Sequence, residues 1–168
     1  MNTKEIGRKA LEYDKFSGCS QSVLLALQEA FGIGDHMSFK AATTLSGGVS
    51  RRGETCGALL GGLLALGLVK GRDDIVDTQA YRDAMVPANQ VVDEFKARLQ
   101  REFGFREPLE STICRDIQRR IYGRGFDLND QEDNKAFLDA GGHGDKGCPK
   151  VCAVAAEVTA EKIQTLLR

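Results

Sequence analysis

Apolar residues recur at intervals of three and four along most of the chain, and nowhere do apolar and polar residues alternate for more than a few positions. The first pattern places one face of a helix in a core, and the rarity of the second leaves little that reads as a half-buried strand. Val23, Leu24, Leu27 and Phe31 form one stripe, with Ser17 placed to cap its start and Gly32 and Gly34 to stop it. Ser38 is placed to cap a shorter helix through Leu45, and a further helix is expected from about Glu54 to Lys70. From Asp77 to Phe103, Ala80, Ala84, Val91, Val92, Phe95, Leu99 and Phe103 keep helical spacing across Pro87. The proline removes a donor and crowds the preceding turn, which predicts a kink or a division into two helices. Ser111 is placed to cap a short helix with Cys114 and Ile117 on one side, ending near Gly123. A weaker, acidic helix follows from Asn129 to Ala140, and Pro149 suits the opening of a last helix from Cys148 to about Leu167. The expected fold is all-α, an irregular or orthogonal bundle of about seven to eight helices. Residues 1–168 are expected to form a single domain, since no repeat, low-complexity tract or linker divides them.

Lys and Arg number 23 against 24 Asp and Glu, a net charge of −1, so no global field gathers nucleic acid or an acidic membrane. Residues 96–124 do carry eight basic side chains, but Glu102, Glu107, Glu110 and Asp116 interrupt them. That mixture reads as a solvated face or a dock for an acidic redox partner, not as a nucleic-acid stripe. The longest apolar run, Cys56 to Val69, is broken by Gly57, Gly61, Gly62 and Gly67 and is shorter than the ~20 residues of a membrane span. It is expected to be a buried helix, with no membrane partner. Residues 1–8 mix both charges and lack an apolar export core, so the expected location is cytoplasmic.

Chemistry is sought first at Cys19, Cys56, Cys114, Cys148 and Cys152. In a reducing compartment permanent disulfides are rare, and such a set points to metal ligation or reactive thiols. Cys56 follows a glycine-rich loop and falls in the first turn of its helix, where free N–H groups and the positive dipole end favour a thiolate and lower its pKa. Gly57, Gly61 and Gly62 each cost roughly 1 kcal/mol against alanine, which implies a neighbouring helix or a bound group in close approach. Cys148 and Cys152 lie one turn apart on one face, an arrangement that suits co-ligation or thiol exchange better than a relaxed mutual disulfide. Cys152, beside Val151, Ala153 and Val154, equally reads as a small core residue. Cys19 and Cys148 are also expected at helix starts, with Cys114 about a turn inside. Ordinary core thiols have no reason to prefer helix ends, so a shared site is expected.

Other motifs carry less. Residues 48–55 approach a phosphate-binding loop, but Glu54 stands where lysine is required and no strand precedes it. Arg51 and Arg52 read as solvated charges or as a bias of the loop toward anions. His143, five residues before Cys148, either adds an imidazole to a metal site or is solvated in its loop. No Cys-x-x-Cys pair is present, so haem attachment and zinc-ribbon readings have no motif.

Taken in order, Gly18-Cys19-Ser20-Gln21-Ser22-Val23, then Gly47-Gly48 leading into Cys56-Gly57-Ala58-Leu59-Leu60-Gly61, then Cys114, then Cys148 and Cys152 with Val154-Ala155-Ala156-Glu157, resemble the C-GCAxxG-C-C family of redox-active proteins. The resemblance implies a small helical protein of electron or thiol transfer; similar domains are attached to haem-carrying electron-transfer proteins with an iron–sulfur centre. It implies that Cys19, Cys56, Cys114 and one of the last pair, with Cys148 favoured, are the functional thiols, serving an unidentified redox partner protein. Two mechanisms remain open. In one, the cysteines ligate a 2Fe–2S cluster or another metal, with helix-start N–H groups tuning it. In the other no cofactor is bound: a low-pKa Cys56 attacks and Cys19 or Cys148 resolves. A structural zinc site and a cofactor-free interaction protein are the alternatives from other classes, and the glycine-lined helices permit a homodimer.

Overall fold

The computed structural model describes residues 2–168. Among them are eight α-helices, α1 (Thr3–Asp14), α2 (Cys19–Phe31), α3 (His36–Ala41), α4 (Gly57–Lys70), α5 (Thr78–Phe103), α6 (Cys114–Tyr122), α7 (Gln131–Asp139) and α8 (Cys148–Leu166), with one 3-10 turn at Ala42–Leu45. No strand occurs among the described residues; Thr55 and Ile113 form only an isolated bridge.

The all-α expectation holds, and its boundaries move for local reasons. Asp35, not Ser38, caps α3: its carboxylate accepts the Ser38 N–H at 2.8 Å, while Ser38 completes the box from inside. The acidic helix is capped by Asp130 and runs from Gln131 to Asp139. The helix expected from Glu54 begins at Gly57. Pro87 neither ends nor divides α5, which runs unbroken over 26 residues with the proline buried inside it. α1 was not foreseen, although Asn2 and Glu5 form a capping box at its start and Ile6 and Ala10 mark its inner face.

α8 is the central element. Val151, Cys152, Val154, Ala155, Ala156, Val158, Ala160 and Ile163 are all buried, and α1, α2, α4 and α5 pack around it. α5 contributes Val91, Phe95 and Leu99 to the same core. The glycines of α4 serve contact: a Cβ at Gly61 would meet the Ser20 carbonyl oxygen at 2.3 Å, and one at Gly62 the Thr159 hydroxyl at 2.4 Å. Here backbone approach is what the glycines provide. A second, smaller cluster stands apart, in which Tyr122, Phe126 and Phe137 meet edge to face with centroids 5.6–5.8 Å apart. The space between the two clusters is the site.

Candidate functional site: a cavity walled by cysteines

Four cysteines stand at the starts of four helices. Cys19 is the first residue of α2; its cap is Gly18 at φ 100°, and Ser17, expected to cap, is itself left-handed at φ 71°. Cys56 is the cap of α4 and not a residue of its first turn. Cys114 opens α6 behind Ile113 instead of lying a turn inside, and the Ser111 hydroxyl accepts the Ile113 N–H without capping the helix. Cys148 opens α8. Three backbone bonds zip the loops before α4 and α6 together: Cys56 N–H to the Thr112 carbonyl at 2.9 Å, Cys114 N–H to the Glu54 carbonyl at 2.6 Å, and Arg115 N–H to the Gly53 carbonyl at 3.1 Å. This pairing aligns Cys56 with Cys114.

The loop before Cys56 is unusual. Gly47, Gly48, Val49, Ser50 and Arg51 are consecutive left-handed residues, with φ between 52° and 68°. Each non-glycine residue there costs roughly 1–2 kcal/mol, and a β-branched valine is a true outlier. Backbone bonds hold the turn, among them Ser50 N–H to the Thr44 carbonyl at 2.7 Å and Glu54 N–H to the Gly48 carbonyl at 2.9 Å. A Cβ at Gly48 would lie 2.6 Å from the Cys114 Cβ, so the turn presses against a site cysteine. The Gly47 N–H also points at the Cys19 sulfur.

All five cysteines line one cavity of about 340 Å³, together with Asp14, Gln21, Arg51, Phe137 and His143. That is the size of a small-molecule site, roughly 300–1,000 Å³, and larger than one ion requires. Every cysteine is a free thiol. Cys152, fully buried, directs its sulfur toward the Cys19 carbonyl, so it is a wall residue as much as a core one. Cys148 is flanked by Tyr122, whose hydroxyl accepts the Cys148 N–H at 3.1 Å and lies 3.7 Å from its sulfur.

Burial keeps these thiols neutral. It pushes Cys19 up to about 12, with the charge of Asp14 adding to the rise and the Gly47 and Ser20 N–H groups opposing it. Cys56 is also raised by burial, although the Leu59 and Ala58 N–H groups favour its thiolate. The expectation of a lowered Cys56 pKa is therefore corrected: desolvation outweighs the helix start. Cys114, Cys148 and Cys152 lie well above the ordinary thiol range for the same reason.

Asp14 and His143 complete the wall. Asp14 is 1% exposed, and neither carboxylate oxygen has a hydrogen-bond partner. His143 Nδ1 lies 3.6 Å from Asp14 Oδ2 and is likewise buried and unpartnered, while the side chain as a whole stays 28% exposed. Burial raises the Asp14 carboxyl above its ordinary value, while the neighbouring His143 and Cys152 draw it back. Asp14 was missed in the sequence, yet Ile6, Ala10 and Asp14 share one i, i+4 stripe, which puts a carboxylate on an apolar face.

Sulfur is the right donor for iron or zinc, but no group of three or more His, Cys, Asp or Glu side chains among the described residues stands at metal-ligating spacing. Side chains on the wall offer little positive charge to offset a cluster. Four thiolates around a cluster carry a net negative charge that grows on reduction. Among the described residues the only cationic side chains on the wall are the exposed Arg51, held by Asn134 at 2.6 Å, and His143 when protonated.

A family profile described as "Putative redox-active protein (C_GCAxxG_C_C)" matches residues 17–162. The chain belongs to this family. The C_GCAxxG_C_C match covers all five cysteines and His143 and begins after Asp14. No curated protein and no solved structure matches the chain. No helix among the described residues is long and apolar enough to cross a membrane.

Proposed function

We propose that the chain acts as one domain whose cavity is a thiol/disulfide redox centre, exchanging two electrons and two protons with a partner disulfide or dithiol. The observation that carries this is the convergence of five neutral thiols on one cavity whose wall offers little positive charge. A dithiol and a disulfide are both uncharged, so this couple adds no charge to a low-dielectric space, where an unpaired charge is costly. Cys19 and Cys56 are the favoured pair. The Cys19 sulfur lies against Gly57, 2.5 Å from where a Cβ would stand, next to Cys56 in the chain. Each of these thiols is weak as a nucleophile until it loses its proton. Free thiols fit a reducing compartment such as the cytoplasm.

The cluster reading draws support from the four helix starts, whose N–H groups would donate to ligand sulfurs of Cys19, Cys56, Cys114 and Cys148. Anaerobic metal analysis with a visible spectrum separates the readings. The thiol couple predicts a colourless protein without stoichiometric iron or zinc, in which a mild oxidant links Cys19 to Cys56 by peptide mapping. Stoichiometric iron with charge-transfer bands establishes the cluster instead, and stoichiometric zinc without colour a structural site.

A further inference from the structure

We propose that Asp14 is the proton acceptor of the cavity thiols and that His143 carries the proton between Asp14 and solvent. This rests on the thiol-couple reading and adds the base which that reading needs. Five thiols that burial holds in the neutral form cannot attack a disulfide unless a nearby group takes a proton. Among the described residues Asp14 is the only carboxylate on the cavity wall, and a buried carboxylate with no hydrogen-bond partner demands a reason in a native structure. Asp14 lines the same cavity as the five thiols, with His143 beside it on the Gly-rich loop between α7 and α8. The His143 side chain is 28% exposed, so it reaches water where Asp14 does not. The edge of the Phe137 ring, its centroid 5.5 Å away, steadies the imidazole.

The groups that bear on Asp14 can be named element by element. From α8 come Cys148 and Cys152, from the start of α2 Cys19, from the cap of α4 Cys56, from α6 Tyr122, and from the loop His143. Lys15, next to Asp14, is engaged with Glu12 and Asp145.

The step balances as follows in bonds. The Cys19 S–H breaks and its proton passes across the cavity to the Asp14 carboxylate as the sulfur attacks one sulfur of the partner disulfide. The partner S–S bond breaks, and its leaving sulfur takes the proton back through His143. Cys56 then attacks the mixed disulfide, the second partner sulfur leaves with the Cys56 proton, and the products are a Cys19–Cys56 disulfide and two partner thiols. The partner is the oxidant.

Alkylation by iodoacetamide, followed residue by residue by peptide mass spectrometry from pH 6 to pH 9 on the full chain, tests the role without requiring any disulfide to form. A proton acceptor and a mere neighbouring charge give opposite signs. If Asp14 accepts the proton, Asp14→Asn slows Cys19 modification at pH 7 by about tenfold, and His143→Gln slows it several-fold. If Asp14 acts only through its charge, its removal eases thiolate formation and Cys19 reacts faster; an unchanged or faster rate in Asp14→Asn overturns the proposal. Should Asp14→Asn fail to fold, Asp14→Ser removes the same carboxylate and decides by the same sign, an unchanged or faster rate overturning the proposal. A slowed rate without a Cys19–Cys56 disulfide under oxidant would keep Asp14's role and discard the redox pairing.

Discussion

The contact between α1 and α8 holds two buried carboxylates, one toward each end, and their surroundings differ. Glu157, 8% exposed, lies 2.7 Å from Lys4 and 3.8 Å from Arg98, and Gly7 leaves room for it, since a Cβ there would meet its Cγ at 2.7 Å. Asp14, 1% exposed, has no hydrogen-bond partner and faces a cavity. A buried charge that is paired belongs to the architecture. One with no hydrogen bond and only an imidazole at 3.6 Å costs stability, and a fold keeps it where the cost is repaid in chemistry.

The two ends should therefore respond to mutation with opposite signs. Glu157→Ala is expected to destabilise by about 1–2 kcal/mol, because it removes the carboxylate that pairs with Lys4 at 2.7 Å and opens space against Gly7, while Arg98 keeps Glu94 and Glu161. Denaturant unfolding would show it, and an unchanged midpoint would break the contrast. Asp14→Asn is expected to stabilise by about 1–2 kcal/mol at pH 7, since it removes an unpartnered buried charge. The pH dependence carries the sign. Burial raises the folded Asp14 carboxyl above its unfolded value, so the folded protein binds that proton more tightly and stability falls as pH rises from the unfolded value through the folded one. The advantage of Asp14→Asn should thus grow as pH rises from the unfolded value toward the folded one and level off above it; an advantage constant with pH would mean that burial does not raise the Asp14 carboxyl. Smaller still, Val49→Gly is expected to raise stability by about 1 kcal/mol by relieving its left-handed backbone, φ 56°, and a loss would show that the valine's packing outweighs its strain.

The helices were legible because their apolar stripes are local, and the cysteine site because thiols at helix starts form a pattern in one dimension. What could not be read was tertiary. Whether Cys56 is activated depends on burial against the N–H groups of Ala58 and Leu59, and only the packed cavity decides that burial wins. Caps slipped where two candidates compete, as Asp35 displaced Ser38 and Gly18 displaced Ser17. Of the two outcomes that Pro87 allowed, α5 takes the single long helix over the division, with Val91, Phe95 and Leu99 packed in the core beyond the proline. Asp14 sat on its apolar stripe in plain view, but the imidazole beside it comes from 129 positions later, as the residue numbers 14 and 143 give.

The midpoint potential of the purified protein as a function of pH addresses the neutral couple most directly. Two protons per two electrons give a hundredfold change in the equilibrium per pH unit, a fall of about 59 mV per unit at about 30 mV per tenfold. Because burial holds Cys19 up to about 12 and raises Cys56 as well, that slope should continue above about pH 8.5, where ordinary thiols would flatten it. A potential independent of pH, with one electron per step, would contradict the account.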